Sequence, residues 1–91
     1  MYYVYALISE DSAKIYIGHT NELKRRLSEH NDSSKRGSLY TKRNKGPWRL
    51  FYNEEFSTRP EAMRREKALK SQKGREFLRG VLRGNSATGV E

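Results

Sequence analysis

The first third of the chain shows two β-prone runs followed by a helical period. Residues 2 to 9 and residues 14 to 18 are rich in aromatic and β-branched side chains, which predicts two strands. Asp11-Ser12-Ala13 separates them and favours a turn, so the two strands are expected to form a β-hairpin. Leu23 and Leu27 then recur at helical spacing, which predicts a helix ending near residue 30 or 31.

The second half predicts one strand and two helices. Residues 48 to 56 favour a third strand, although their aromatics do not alternate cleanly, so both faces are expected to be partly covered. Thr58-Arg59-Pro60-Glu61 is a capping box with proline in the first turn, which predicts a helix from about residue 59 to 71. Gly74 or its neighbours are expected to break it, and residues 75 to 83 are expected to form a last short helix.

The remaining segments are polar. Residues 32 to 46 are basic and contain glycine, which predicts a loop, and a loop of this length in a small domain is more often functional than idle. We find no internal repeat and no linker. One domain is therefore expected over residues 1–83, followed by a flexible tail at 84–91.

Charge and composition limit the partners. Nineteen Lys and Arg face 11 Asp and Glu, and a net charge of +8 on a folded domain makes nucleic acid the first candidate partner. A small ribosome-associated or merely soluble basic protein stays an alternative. The absence of cysteine excludes disulfides and thiolate metal sites. With no secretory signal and no apolar run of spanning length, we expect a cytoplasmic protein with no membrane partner, monomeric by default.

The candidate chemistry lies on the hairpin and the first helix. A hairpin brings Tyr5 and Tyr16 to one patch of sheet, and Arg26 and His30, four residues apart on the helix, border the same patch. Phenols, a guanidinium and an imidazole around one point suit chemistry on a phosphate. Glu29 is expected to point to solvent.

Glu66 is the candidate carboxylate. It shares a stripe of the predicted second helix with Ala62 and Leu69, and that stripe should face the sheet. A buried carboxylate is costly unless it has a partner or a metal. Pairing with nearby basic residues at the surface is the alternative interpretation, with Arg65, Lys67 and Lys70 as the possible partners.

These residues resemble the GIY-YIG nuclease superfamily, and most closely its small stand-alone bacterial single-domain branch. The resemblance spans residues 2 to about 83 and rests on Tyr16-Ile17-Gly18 together with residues 4–5, 23–31 and 61–70. It implies an α+β fold, with a three-stranded antiparallel sheet in β-β-α-β-α-α order and helices packed around it. It also implies a DNA endonuclease of low sequence specificity, acting in repair or processing with one Mg²⁺ or Mn²⁺ ion. A nucleic-acid-binding module without catalysis stays the alternative.

The resemblance also implies roles for individual residues. Tyr3 stands at the position of the glycine that begins the first motif of the family's name, GIY. His19 stands at a position where some members carry lysine. Glu66 corresponds to the metal ligand. The residues expected to be catalytic are Tyr5, Tyr16, Arg26, His30 and Glu66. Those expected to contact nucleic acid are His19, Arg25, Lys42, Arg43, Lys45 and Lys70.

Overall fold

The computed structural model describes residues 1–31 and 47–84. Its elements follow the predicted order and give an α+β fold, which confirms both predictions. They are β1 (Tyr2–Ser9), β2 (Ile15–Thr20), α1 (Leu23–Asn31), β3 (Trp48–Phe56), α2 (Arg59–Lys70) and α3 (Gln72–Leu82). Within this part of the chain, no helix combines the length and apolar character needed to cross a bilayer.

The three strands form one antiparallel sheet in the order β2-β1-β3, as expected. β1 is the central strand, and its residues Val4, Ala6 and Leu7 are fully buried. Burial on both faces follows because helices cover both sides of the sheet. β2 is an edge strand, and its register places Gly18 opposite Tyr5.

Each face of the sheet has its own core. On the α1 face, one cluster consists of Tyr5, Leu7 and Trp48, with Tyr16, Leu23, Leu27 and Leu50 packed against it. On the other face, α2 and α3 cover a second cluster, which consists of Val4, Ala6, Ile17, Ala62, Leu69 and Leu78. The alternation of side chains along β1 and β2 therefore assigns each residue to one of two separate environments.

A bulge explains why the aromatics of β3 do not alternate. Leu7 pairs with Leu50 but Ala6 pairs with Tyr52, so Phe51 is the extra residue. Trp48 and Leu50 consequently pack on the α1 face, whereas Tyr52 packs on the α2 face. The expectation that both faces of this strand are partly covered is confirmed.

The turn of the hairpin and its second strand lie close to their predicted positions. The Ser9 hydroxyl accepts hydrogen bonds from the backbone N–H groups of Asp11 and Ser12 at 3.2 and 3.1 Å, and this stabilises the predicted turn. Ala13 has a positive φ of 63°. β2 extends to Thr20 rather than to residue 18, because its ladder with β1 continues past Gly18 to pair Tyr3 with Thr20.

The junction between α2 and α3 differs from the prediction. The Thr58–Glu61 capping box starts α2 as expected, but α2 ends at Lys70 and α3 begins at Gln72. Ser71 makes the break, and its hydroxyl accepts the Gly74 N–H at 3.2 Å. Gly74 lies inside α3, where a Cβ would be 2.3 Å from the Ala68 carbonyl oxygen. The glycine thus permits the two helices to approach closely rather than ending one of them.

Two predicted segments lie wholly or mostly outside the described residues. These are the loop at 32–46 and, apart from Gly84, the tail at 84–91. Gly84 adopts φ 80° and donates its N–H to the Val81 carbonyl at 2.9 Å, closing the end of α3.

Candidate active site

Four of the predicted site residues form one cluster, called here the tyrosine group: Tyr5, Tyr16, Arg26 and His30. Tyr5 comes from β1, Tyr16 from β2 and His30 from the last turn of α1. The ring centroids are 6.1 Å apart for Tyr5–Tyr16, 5.8 Å for Tyr5–His30 and 4.7 Å for Tyr16–His30. Arg26 lies close enough to hydrogen-bond the Tyr5 hydroxyl. The structure therefore brings these four side chains together on the α1 face.

Gly18 provides the space for this group. A Cβ at that position would lie 2.9 Å from the Tyr5 hydroxyl oxygen and 3.0 Å from the Tyr16 ring. Contacts this short require a neighbour to move. Gly18 lies within β2, and its missing side chain therefore makes room for the two phenols.

Tyr5 and His30 form a buried, neutral hydrogen bond. The Tyr5 hydroxyl oxygen lies 2.8 Å from His30 Nε2, and the two residues are 1% and 5% exposed. Burial raises the pKa of Tyr5, assisted by the neighbouring Tyr16, and this outweighs the opposite effect of Arg26. Burial and the Arg26 charge lower the pKa of His30 to about 4, against the opposing effect of Glu29. Near neutrality the phenol is therefore protonated and donates to an uncharged imidazole, which we assign to the Nδ1–H tautomer.

Glu29 holds the Arg26 side chain in place. Its Oε1 accepts a hydrogen bond from Arg26 Nη1 at 2.9 Å, and its side chain is only 18% exposed. Burial lowers the pKa of Arg26, but the bonds to Glu29 and Tyr5 outweigh it, so the net pKa is raised. The sequence led us to expect that Glu29 points to solvent, and that expectation is wrong. The i, i+3 spacing of the two residues is the signal that could have identified the pair.

Glu66 lies in a second cluster, called here the carboxylate group: His19, Glu66 and Lys70. Glu66 Oε1 lies 2.5 Å from His19 Nδ1, and Oε2 accepts from Lys70 Nζ at 2.6 Å. Burial raises the pKa of Glu66, but the bonds from Lys70 and His19 outweigh it and the net pKa is lowered. The carboxylate is therefore ionised near neutrality.

The surroundings of Glu66 combine the two interpretations drawn from the sequence. Its neighbours Ala62 and Leu69 are buried against the sheet, so its stripe faces inward as predicted. Its partner Lys70 is one of the three surface partners considered. Arg65 instead forms a two-pronged contact with Glu54, with Nε and Nη2 at 3.0–3.1 Å from the carboxylate oxygens.

The two groups meet at the edge strand β2 from opposite faces of the sheet. Tyr16 packs on the α1 face, whereas Ile17 packs under α2. His19 shares the Ile17 face because side chains alternate along a strand, and there it contacts Glu66. Gly18 lies between Tyr16 and His19 and carries no side chain. The edge of the sheet at this position therefore has phenols on one side and the carboxylate on the other.

The other predicted nucleic-acid contacts divide into two sets. Arg25 and Lys70 have side chains that are 60% and 48% exposed, so both can reach a ligand. Lys42, Arg43 and Lys45 lie outside the described residues. Among residues 1–31 and 47–84, no cluster of three or more histidine or carboxylate side chains is placed to hold a metal ion. A metal at Glu66 would therefore keep most of its water ligands.

Comparison with known proteins identifies this arrangement. The family model described as the GIY-YIG catalytic domain matches residues 1–79. The chain belongs to the GIY-YIG family. The resemblance noted from the sequence is thereby confirmed, and membership supports a nuclease role in general terms.

Similar proteins come from bacteria. The chain is 43% identical to a UPF0213 protein of Streptococcus agalactiae serotype V over 74 residues, covering 81% of this chain and 78% of that one. It is 42% identical to a UPF0213 protein of Bacillus licheniformis over 77 residues, covering 82% and 75%. The solution structure of a UPF0213 protein from Bacillus halodurans is similar at a TM-score of 0.52 and 37% identity, covering 96% of this chain and 90% of that chain.

Proposed function

We propose that this GIY-YIG protein is a metal-dependent endonuclease that hydrolyses phosphodiester bonds of DNA at the β2 edge. The observation that supports this most strongly is the tyrosine group. Two phenols, a guanidinium and a neutral imidazole converge beside Gly18, whose missing side chain makes room for the phenols. A phosphate at this strand edge would meet the half-buried Arg26 and Tyr16 on the α1 face and Glu66 on the other.

Arg26 is the proposed phosphate ligand. Its Nη1 donates to Glu29 Oε1 at 2.9 Å, which fixes the plane of the guanidinium, and the fork of five N–H donors in a guanidinium suits non-bridging phosphate oxygens. Its raised pKa keeps it charged under all assay conditions. Glu29 acts through Arg26 and is therefore a positioning residue.

The two tyrosines have different proposed roles because their exposure differs. Tyr5 is fully buried, and its raised pKa disfavours the phenolate that a general base requires. It therefore orients Arg26 and His30. Tyr16 is only half-buried, so its hydroxyl is the one that can contact and orient the attacking water.

Glu66 is the proposed metal ligand. The residues present fit a divalent ion such as Mg²⁺ or Mn²⁺, because its carboxylate is ionised and 19% exposed, and Mg²⁺ accepts a single protein carboxylate while retaining waters. When bound, the ion would supply positive charge to the phosphate and the leaving oxygen. Lys70 balances the Glu66 charge, and both Lys70 and His19 would need to release the Glu66 oxygens for an ion to bind.

The substrate preference is part of the proposal. The net charge of +8 favours a polyanion, and contacts to the backbone carry no sequence information. We therefore expect cleavage of low sequence specificity, as in repair or processing of DNA.

A cleavage panel tests the proposal. Single-stranded, branched and duplex DNA are incubated with Mg²⁺ or Mn²⁺ and the wild type, Glu66→Gln or Glu55→Gln. Glu55 is an exposed carboxylate of β3 and provides the matched control. We expect cleavage by the wild type and by Glu55→Gln, and a loss of at least about 100-fold with Glu66→Gln, since electrostatic stabilisation of this kind is worth that much.

Binding without cleavage by the wild type would instead favour the non-catalytic nucleic-acid-binding module. One observation supports that alternative: both oxygens of Glu66 are already engaged by His19 and Lys70. Equal cleavage by the wild type and by Glu66→Gln would reject the assigned role of this carboxylate.

A further inference from the structure

Helix α3 carries a line of exposed arginines that the proposed active site does not use. Arg75 and Arg79 lie in α3, and Arg83 caps its end in a helical conformation, donating its N–H to the Arg79 carbonyl at 3.0 Å. The three arginines are spaced four residues apart and all are exposed, so they lie within an arc of about 80° on one side of the helix. Within the described part of the chain, no salt bridge joins any of the three to a carboxylate. Glu76 lies at the border of this line and accepts a hydrogen bond from Gln72 at 3.5 Å.

The stability of α3 does not account for this line. Cations are favourable at a helix C-terminus, which suits Arg79, but unfavourable near the N-terminus, where Arg75 and Lys73 lie and no acidic residue occupies the first turn. Like charges four residues apart also repel, at a cost of about 0.2–0.5 kcal/mol per pair. Such a line favours an anionic partner that offsets the repulsion.

The line leads away from the carboxylate group. Arg75 Nε donates a hydrogen bond to the Lys70 carbonyl at 3.2 Å, and Lys70 Nζ contacts Glu66 at 2.6 Å. Three arginines at this spacing cover about 12 Å along the helix. One nucleic-acid strand carries a phosphate per about 3.4 Å of axis, so the line matches roughly three to four phosphates.

We infer that Arg75, Arg79 and Arg83 form a track for the sugar–phosphate backbone of a nucleic-acid strand whose cleaved bond lies near Glu66. This inference rests on the proposed nuclease function and specifies where the substrate lies outside the active site. Guanidinium groups suit the track because each can bridge two phosphate oxygens.

Salt-dependent binding tests the track. Binding of fluorescein-labelled single-stranded and duplex 20-mers is measured by anisotropy without divalent metal, over a series of salt concentrations. The test variant is R75Q/R79Q/R83Q, and R75K/R79K/R83K retains the charge. A matched control, K24Q/R64Q/K67Q, removes three exposed charges elsewhere.

The binding constant falls as salt rises, and we expect this dependence to be shallower in the glutamine variant. The magnitude of the slope of log K against log salt should decrease by about 2–3, since each lost phosphate contact contributes about 0.7–0.9. The lysine variant should retain most of the slope, and the control should lose less than half as much as the test variant. The thermal midpoint of the glutamine variant should stay within a few degrees of the wild type, because the removed repulsion offsets the lost hydrogen bond from Arg75 to the Lys70 carbonyl.

A wild-type slope in the glutamine variant, or an equal loss in the control, would overturn the track. The track would also be overturned if the glutamine variant bound nucleic acid as the wild type does but no longer bound anionic phosphatidylserine vesicles. That result would assign the line of arginines to a membrane surface. The outcome is separable from that of the cleavage panel. A wild type that binds through the arginines but never cleaves leaves the track standing and removes the nuclease proposal.

Discussion

Acidification should destabilise the protein through His30. The pKa of this imidazole is about 4 in the folded state and about 6.5 in an unfolded chain. The unfolded state therefore binds the proton more readily at intermediate pH. The stabilisation is fully present above about pH 6.5 and is lost as the pH falls through about 4.

The magnitude follows from the two pKa values. From the linkage between proton binding and folding, this one residue should lower the free energy of unfolding by about 2 kcal/mol between pH 7 and pH 4.5. That is a large share of the roughly 5–15 kcal/mol that holds a typical domain together. The physical cause is the burial of the imidazole, which penalises its charged form, together with a second positive charge beside Arg26. Protonation also removes the Nε2 acceptor from the Tyr5 hydroxyl.

Urea unfolding followed by Trp48 fluorescence measures this loss at both pH values. The wild type is compared with His30→Gln, which cannot titrate, so that the contributions of Glu66 and other carboxylates cancel. The variant should lose about 2 kcal/mol less than the wild type on acidification. In parallel, the NMR titration of the two histidines, assigned with His19→Gln, should place the His30 pKa well below its ordinary value.

Two results would refute this reasoning. One is an NMR pKa for His30 above about 6, which would mean that the imidazole is not buried against Tyr5 and Arg26. The other is an equal loss of stability on acidification in the wild type and in His30→Gln.

Three further predictions concern the glycines and Glu29. Gly18→Ala should cost about 1–3 kcal/mol in urea unfolding, because its Cβ would lie 2.9 Å from the Tyr5 hydroxyl oxygen, and an unchanged midpoint would contradict the tight contact. Gly74→Ala should cost more, about 3 kcal/mol or above, because its Cβ would lie 2.3 Å from backbone that cannot rotate away; a smaller cost than that of Gly18→Ala would reject this ranking. Glu29→Gln should leave the thermal midpoint within a few degrees but lower kcat about tenfold, because a neutral acceptor holds Arg26 less firmly; wild-type kcat would show that Arg26 needs no such support.

The order of the elements could be predicted because it depends on local signals. The capping box at Thr58 and Glu61 and the β-prone run at 48–56 act within a few residues, and both gave elements at the expected positions. The break between the last two helices was misplaced because glycine is ordinarily a helix breaker. Ser71 is the actual cap, and Gly74 serves a contact between helices that no local pattern encodes.

The site could be predicted where a local pattern carried the information, which was the hairpin for Tyr5 and Tyr16 and helical spacing for Arg26 and His30. The four-residue spacing of Arg26 and His30 placed both beside Tyr5, whereas the contact between His19 and Glu66 joins residues 47 positions apart. That contact requires the register of β2 and the position of α2, so the sequence indicated Glu66 as a carboxylate needing a partner without indicating His19.

Strand register also decides which face each side chain occupies, and here a single bulge matters. If β3 alternated regularly, its even-numbered residues would all share the α1 face with Trp48 and Leu50, and Glu54 would enter an apolar cluster. The extra residue Phe51 moves Glu54 to the other face, where Arg65 binds its carboxylate. The broken alternation that made β3 the least regular strand in the sequence is therefore what keeps an additional carboxylate off the face that carries the tyrosine group.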